Sequence, residues 1–275
     1  MKITVVQSRG IISDPKVNFF KARMRVSNVD SEIFIFPEMF CSGYTNVPEL
    51  MQVEKLKPLM IDSLSKLSDN KGCTVICGSP VQDGDSLYDS ALIIDGLETA
   101  RYDKINLNTK GLFDESAIFK RGSKPLIVDR QGLRMGIMLG HDLYVPDLCR
   151  YYAENAADIL IVMAALVPAD IEVFLKVAQA NAIQYGIPII VCNMTGNDPG
   201  TDMGGKSAYI GIDGTFIESC TAGSDVREIR IDVDELKAIT AARVLPTVVE
   251  LDEGSVYETK NNEADPNGPL CPFSM

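Results

Sequence analysis

Histidine is almost missing from this 275-residue sequence: His141 is the single one, and no Cys-x-x-Cys pair occurs. The common zinc sites are therefore excluded, and no metal is expected. No apolar run approaches the roughly 18 residues that a membrane-spanning helix needs. A basic block is also absent. Lys and Arg number 26 against 38 Asp and Glu, a net charge of −12. Neither nucleic acid nor an anionic membrane surface is expected as a partner of so acidic a chain. The seven cysteines are odd in number and lack framework spacing, so reduced thiols in a cytoplasmic protein are the simplest reading. Low-complexity segments and linkers between two cores are missing too. One domain over residues 1–246 is expected, followed by a polar tail at 247–275.

What is present is strand after strand. Val/Ile/Leu-rich runs at 2–7, 32–36, 73–77, 90–94, 125–128, 134–139, 158–163 and 187–192 read as strands covered on both faces. Further strands are expected at 207–212, 215–220 and 228–231. Helical spacing appears at 17–26, with Val17, Phe20 and Met24 on one face, and at 56–67, 147–157 and 171–185, with Asp170 as N-cap of the last. Asp213-Gly214 predicts a type I′ hairpin turn. The alternation reads as an α/β fold with a mixed sheet.

Chemistry-bearing residues cluster at three strand ends, where sites gather in open α/β sheets. In the first, Phe36-Pro37-Glu38-Met39-Phe40, a carboxylate ends an apolar strand. Glu38 is either a buried structural acid paired with a cation or a general base whose pKa is raised by its surroundings. The second is Tyr102-Asp103-Lys104-Ile105-Asn106-Leu107, followed by Glu115 and Gly122. Lys104 is either a solvated amine or a fixed cation facing developing negative charge. In the third, a strand ending at Leu139 runs into Gly140-His141-Asp142 and then a helix near Asp147. That is the shape of a nucleophile elbow, or of a plain strand–turn–helix connection in which Gly140 supplies a positive φ.

Together, and in this order, the three segments resemble the nitrilase superfamily of carbon–nitrogen hydrolases. Phe36 to Phe40 with Gly43-Tyr44 is similar to the segment with the family's catalytic Glu, Tyr102 to Leu107 to that with its Lys, and Gly136 to Asp147 to that with its Cys. Glu115 falls where a supporting Glu is usual. Asn193-Met194-Thr195-Gly196 and Gly204-Gly205-Lys206-Ser207 also match family segments. The resemblance spans about residues 1–245. It implies a four-layer α-β-β-α sandwich and no cofactor. It also implies a homodimer or higher homo-oligomer through the helices flanking the elbow, with the tail crossing between subunits. The implied activity is of the amidase type, on a small linear amide. Glu38 would take the thiol proton, Lys104 and the backbone N–H of His141 would hold the oxyanion, and Glu115 would hold Lys104 or the substrate in place.

One residue departs from the family. The resemblance requires Cys at position 140, where this chain has Gly. Cys41, Cys149 and Cys192 read as small buried hydrophobes rather than replacement nucleophiles. Three readings of Gly140 stand open: an engineered inactivating change, a natural loss leaving a non-catalytic ligand-binding or interaction protein, or a cysteine-free reaction run by Glu38 and Lys104 as a proton-transfer pair.

Overall fold

The computed structural model describes residues 1–12, 14–45, 49–198 and 201–246; the tail expected to cross between subunits lies outside them. In chain order the elements are β1 (Lys2–Gln7), α1 (Pro15–Asn28), β2 (Ile33–Ile35), α2 (Glu49–Lys71), β3 (Thr74–Asp83), β4 (Ser86–Asp95) and β5 (Glu98–Asp103). Then come β6 (Leu126–Arg130), β7 (Leu133–Leu139), α3 (Pro146–Glu154), β8 (Ile159–Ala164), α4 (Pro168–Tyr185) and β9 (Ile189–Asn193). The chain continues with β10 (Thr195–Asp198), β11 (Thr201–Gly204), β12 (Ala208–Ile210), β13 (Phe216–Ser219), β14 (Asp225–Arg230) and α5 (Val233–Ala241). Two six-stranded sheets result, ordered β14-β1-β2-β3-β4-β5 and β13-β12-β9-β8-β7-β6, with β10 and β11 a separate hairpin.

Strand alternation explains the layers. Odd-numbered residues of the first sheet (Ile3, Val5, Ile33, Ile35, Ala91, Ile93) pack against Met135, Ile137, Leu139, Ile159, Ile161 and Met163 of the second, forming one core between the sheets. Residues one step out of phase face the helices. Phe34, Val75, Cys77, Leu92 and Ile94 meet Ala22 and Val26 of α1 and Met60 and Leu64 of α2. Leu160, Val162 and Val191 meet Tyr152 of α3 and Phe174 and Ala178 of α4. Strands apolar on both faces are what a sheet covered twice requires. The expected four-layer α-β-β-α sandwich is the architecture found. Among the described residues no helix is long and apolar enough to cross a membrane.

Three expectations need correction. Val17, Phe20 and Met24 of α1 are exposed, and the buried stripe is Asn18, Ala22 and Val26. Asn18 faces inward because its amide bonds Ile11 in both directions and reaches the Cys41 carbonyl. Asp170 does not cap α4; the helix begins at Pro168, and Asp170 lies in its first turn. The turn before β13 is not type I′. Gly214 N–H bonds the Gly211 carbonyl, and Gly214 alone of Ile212, Asp213 and Gly214 has positive φ, at 79°. That is a type I turn closed by a glycine bulge.

Gly78 of β3 positions the segment carrying Glu38. Its N–H bonds the Pro37 carbonyl at 3.2 Å, and its carbonyl accepts from Cys41 N–H at 3.0 Å. A Cβ there would lie 2.5 Å from Pro37 O and 2.7 Å from the Glu38 carbonyl carbon, and closer still to Met39 N. These are backbone atoms that cannot swing aside. Gly78→Ala is therefore expected to destabilise the fold by about 3 kcal/mol, the upper end of ordinary overpacking. Denaturant unfolding tests this; an unchanged midpoint would refute the tight crossing.

Candidate active site

Two strand ends of the first sheet and the segment between β5 and β6 bring Glu38, Lys104 and Glu115 together. Lys104 follows β5, and its N–H bonds the Asp89 carbonyl of β4 at 2.9 Å. It thereby continues the face of Tyr102, which points into the core between the sheets. Its Nζ lies 2.6 Å from Glu38 Oε1 and 2.7 Å from Glu115 Oε1. All three side chains are buried. Glu38 Oε2 also accepts from Ala165 N–H at 3.0 Å. The adjoining Leu166 N–H is held by Asn193 Oδ1, whose amide donates to the Gly205 carbonyl. Glu115 accepts from the Tyr44 hydroxyl and, at 2.7 Å, from Asn108 N–H.

The elbow is built as its sequence suggested. Strand β7 ends at Leu139, Gly140 turns with φ +39°, and a 3-10 turn at Gly140–Tyr144 leads into α3. Buried Asp142 fixes it from within, accepting from Leu139 N–H, Ile105 N–H, Asn106 N–H and the Tyr102 hydroxyl. Asn106 Nδ2 donates to the His141 carbonyl at 2.8 Å. The lysine segment and the elbow, which come from different sheets, are thus stapled to one carboxylate. A Cβ on residue 140 would lie 2.8 Å from Glu38 Oε2. The Glu38 carboxylate therefore faces the α-carbon of Gly140 directly.

A narrow cleft with about 10 Å³ of free volume opens over these groups, with His141, Asn108, Leu112, Val167 and Asp170 among its walls. None of the six described cysteines is among them. Cys41 lies beside Cys77, and both pack under the helices. The Cys192 thiol donates to the Ile35 carbonyl between the sheets. Burial pushes the Cys149 thiol up to about 12.

The electrostatics follow from one ammonium among acids. Burial opposes the charge on Lys104, but Glu38, Glu115 and Asp89 outweigh it and hold the amine well above its usual range. Burial raises Glu38, against the pull of Lys104. The His141 imidazole is lowered by burial and by Lys104, so it is neutral at pH 7. Carboxylate oxygens of Glu38, Asp89 and Glu115 all lie within 4.8 Å of one another, a spacing that could hold a cation. Lys104 Nζ already stands 2.6, 3.7 and 2.7 Å from them and supplies that charge.

A carbon–nitrogen hydrolase family model matches residues 3–241. The chain belongs to the carbon–nitrogen hydrolase family. Among its relatives, a probable nitrilase of Schizosaccharomyces pombe is 26% identical over 251 residues, covering 86% of this chain and 90% of that protein. An (R)-stereoselective amidase of a Pseudomonas species is 24% identical over 244 residues, covering 86% and 87%. A cysteine-to-alanine form of the Nesterenkonia sp. AN1 amidase, solved in complex with butyramide, shares the fold: TM-score 0.76, 22% identity, 86% of this chain and 93% of that one covered. Another form of that amidase carries acrylamide added to its active-site cysteine.

Of the five residues singled out from the sequence, Glu38, Lys104, Glu115 and His141 line this cleft, and Gly140 lies against the Glu38 carboxylate. Asp89 was missed. Its signal was available: it shares the period-2 register of Ala91 and Ile93, an acid in phase with core residues.

Replacing Lys104 by Met would strand three buried acids. A loss of about 3–5 kcal/mol is expected near pH 7, as for other broken buried pairs. The folded acids would then keep their protons to higher pH than in the unfolded chain, where carboxyls titrate near about pH 4. The unfolded state binds fewer protons, so stability falls as pH rises and part of the loss is regained on acidification. Denaturant unfolding at acid and neutral pH checks this; a loss independent of pH would refute it.

Proposed function

We propose that this chain takes up a small linear amide, or a ligand with the same carbonyl and N–H groups, at an amidase-type site that lacks its cysteine nucleophile. The observation that carries the reading is the Glu38 carboxylate, held by Lys104 and Ala165 N–H and aimed at an α-carbon without a side chain. Lys104 has three N–H donors. Two are used by Glu38 and Glu115, and the third is free to meet a ligand carbonyl. Glu38 and Glu115 offer acceptors to the ligand N–H groups.

With a thiol at position 140, Glu38 would take its proton, the thiolate would attack the amide carbon, and Lys104 would steady the oxyanion. Without it, that route is closed. Removing the nucleophile from such a unit costs on the order of 10⁶ in turnover in the serine-protease analogue. Binding need not fail with it, since the cysteine-to-alanine Nesterenkonia amidase holds butyramide. The reading is thus a ligand-binding member of a hydrolase family.

Calorimetric titration with butyramide and an ammonia-release assay on a panel of small amides test this. Saturable binding and no ammonia release are expected from the chain as it stands. Gly140→Cys is expected to recover part of the hydrolysis. Its gain is limited because a side chain at φ +39° costs about 1–2 kcal/mol of backbone strain, and Glu38 must shift to admit the Cβ. Amide hydrolysis by the unaltered chain, or no recovery in Gly140→Cys, would overturn the reading.

We also propose a homodimer across the helices beside the elbow. Tyr151 of α3 and Val173 and Ile183 of α4 expose apolar surface there. Sedimentation should give twice the chain mass, and Ile183→Lys should shift it toward the monomer; a monomer in the unaltered chain would refute this.

A further inference from the structure

Asp89 is the one acid of the cluster without a donor. Its residue is fully buried, and neither carboxylate oxygen has a hydrogen-bond partner. Lys104 Nζ stays 3.7 Å away, beyond hydrogen-bond reach. The other two acids are well supplied. Glu38 accepts from Lys104 and Ala165 N–H, and Glu115 from Lys104, Tyr44 and Asn108 N–H. An ionised carboxylate buried with no donor carries a desolvation penalty that nothing offsets.

Charge counting leads to the same residue. Glu38, Asp89 and Glu115 ionised beside one Lys104 ammonium would leave two uncompensated negative charges in a buried site. Like-charged acids sharing a site do not all ionise; one keeps its proton. The acids facing Asp89 are Glu38 and Glu115, and Lys104 is the facing cation. The Tyr44 phenol beyond them is held neutral by burial.

We propose that Asp89 is a proton-holding residue: its carboxyl stays protonated at neutral pH and donates its O–H to Glu38, so that the two acids share one proton. Asp89 is then a positioning residue acting through Glu38. Its O–H becomes the third donor to the Glu38 carboxylate, after Lys104 and Ala165 N–H, and keeps that group ionised and turned toward residue 140. The geometry and the titration agree in direction. Burial first, and then repulsion by Glu38, put Asp89 well above the usual carboxylate range, while the contact between them lowers Glu38. The inference holds whether or not the cleft binds amides, and its test uses no ligand.

The test has two parts on the intact chain. Infrared and carbon-13 spectra of protein labelled at aspartate should show one protonated carboxyl persisting at neutral pH, and Asp89→Asn should remove that signal. Asp89→Asn supplies a neutral donor at the same place, so its melting temperature should match the parent near about pH 4 and below, where the aspartate carboxyl is protonated in both states. An acid whose folded pKa is raised loses stability as pH climbs from its unfolded value through its folded one. The parent should therefore weaken relative to Asp89→Asn toward alkaline pH. Asp89→Ala, which gives Glu38 no donor, should melt lower than both. Three results would each overturn the proposal. The first is an aspartate spectrum with no protonated carboxyl at neutral pH. The second is an Asp89→Asn variant that is destabilised yet keeps the parent's pH slope, as an ionised partner of Lys104 would require. The third is a rise in parent melting temperature with Mg²⁺ or Ca²⁺ that Asp89→Asn abolishes, which would make Asp89 an ionised ligand.

Discussion

The Lys104 ammonium organises the molecule's working end. Its two acceptors come from separate places in the chain, Glu38 after β2 and Glu115 in the segment before β6, while Asp89 of β4 stands 3.7 Å away. No single element could hold such a charge in the gap between two sheets. Desolvation of one ammonium costs several kcal/mol, and only acids brought in on independent supports offset it. The surrounding architecture follows from that need. Gly78 admits the Glu38 segment, Asn193 fixes the loop that donates Ala165 N–H, and Asp142 ties the lysine segment to the elbow.

The same physics changes what the clustered acids signify. In a solvent-exposed site, residues that have lost their reaction are free to drift. Here the loss of Lys104 leaves the acids buried and unpaired, and the loss of either glutamate strips a bond from the buried ammonium, so the fold itself favours keeping Glu38, Lys104 and Glu115. Their presence beside Gly140 speaks for an intact structure and only indirectly for chemistry. A cleft lined by such a cluster keeps its buried polar groups whatever residue stands at position 140.

Much of this was legible from the sequence. Runs such as Ile33-Phe34-Ile35 and Ile159-Leu160-Ile161 announce doubly covered strands, and their positions agree with β2 and β8 to within a residue or two. What escaped notice was polar or short. Strand β5 reads Glu-Thr-Ala-Arg-Tyr-Asp and buries Tyr102 almost alone. Helix α5 opens on Asp234 and Glu235, and the β10–β11 hairpin is made of four-residue strands. Tertiary pairing, not local pattern, makes these elements. Helix α1 misled in the opposite way, because its evident apolar trio faces outward while an asparagine faces in. The site behaved similarly. Glu38 and Lys104 stood out at strand ends and Glu115 beside them, whereas Asp89 sits in mid-strand, where only its phase with Ala91 and Ile93 marks it.

Strand β1 lies between β2 and β14, so the second residue of the chain pairs with the 230th. The amino group of Met1 donates to the Ile231 carbonyl at 2.8 Å, closing the same seam. A chain leaving the ribosome therefore exposes one flank of its first strand until nearly the whole domain has been made. That flank is an open template for pairing with other chains, and its closure requires contacts of the longest sequence separation, the slow kind. Among the described residues the first sheet is closed by its last strand, and until then β1 keeps an unpaired flank open to misassociation.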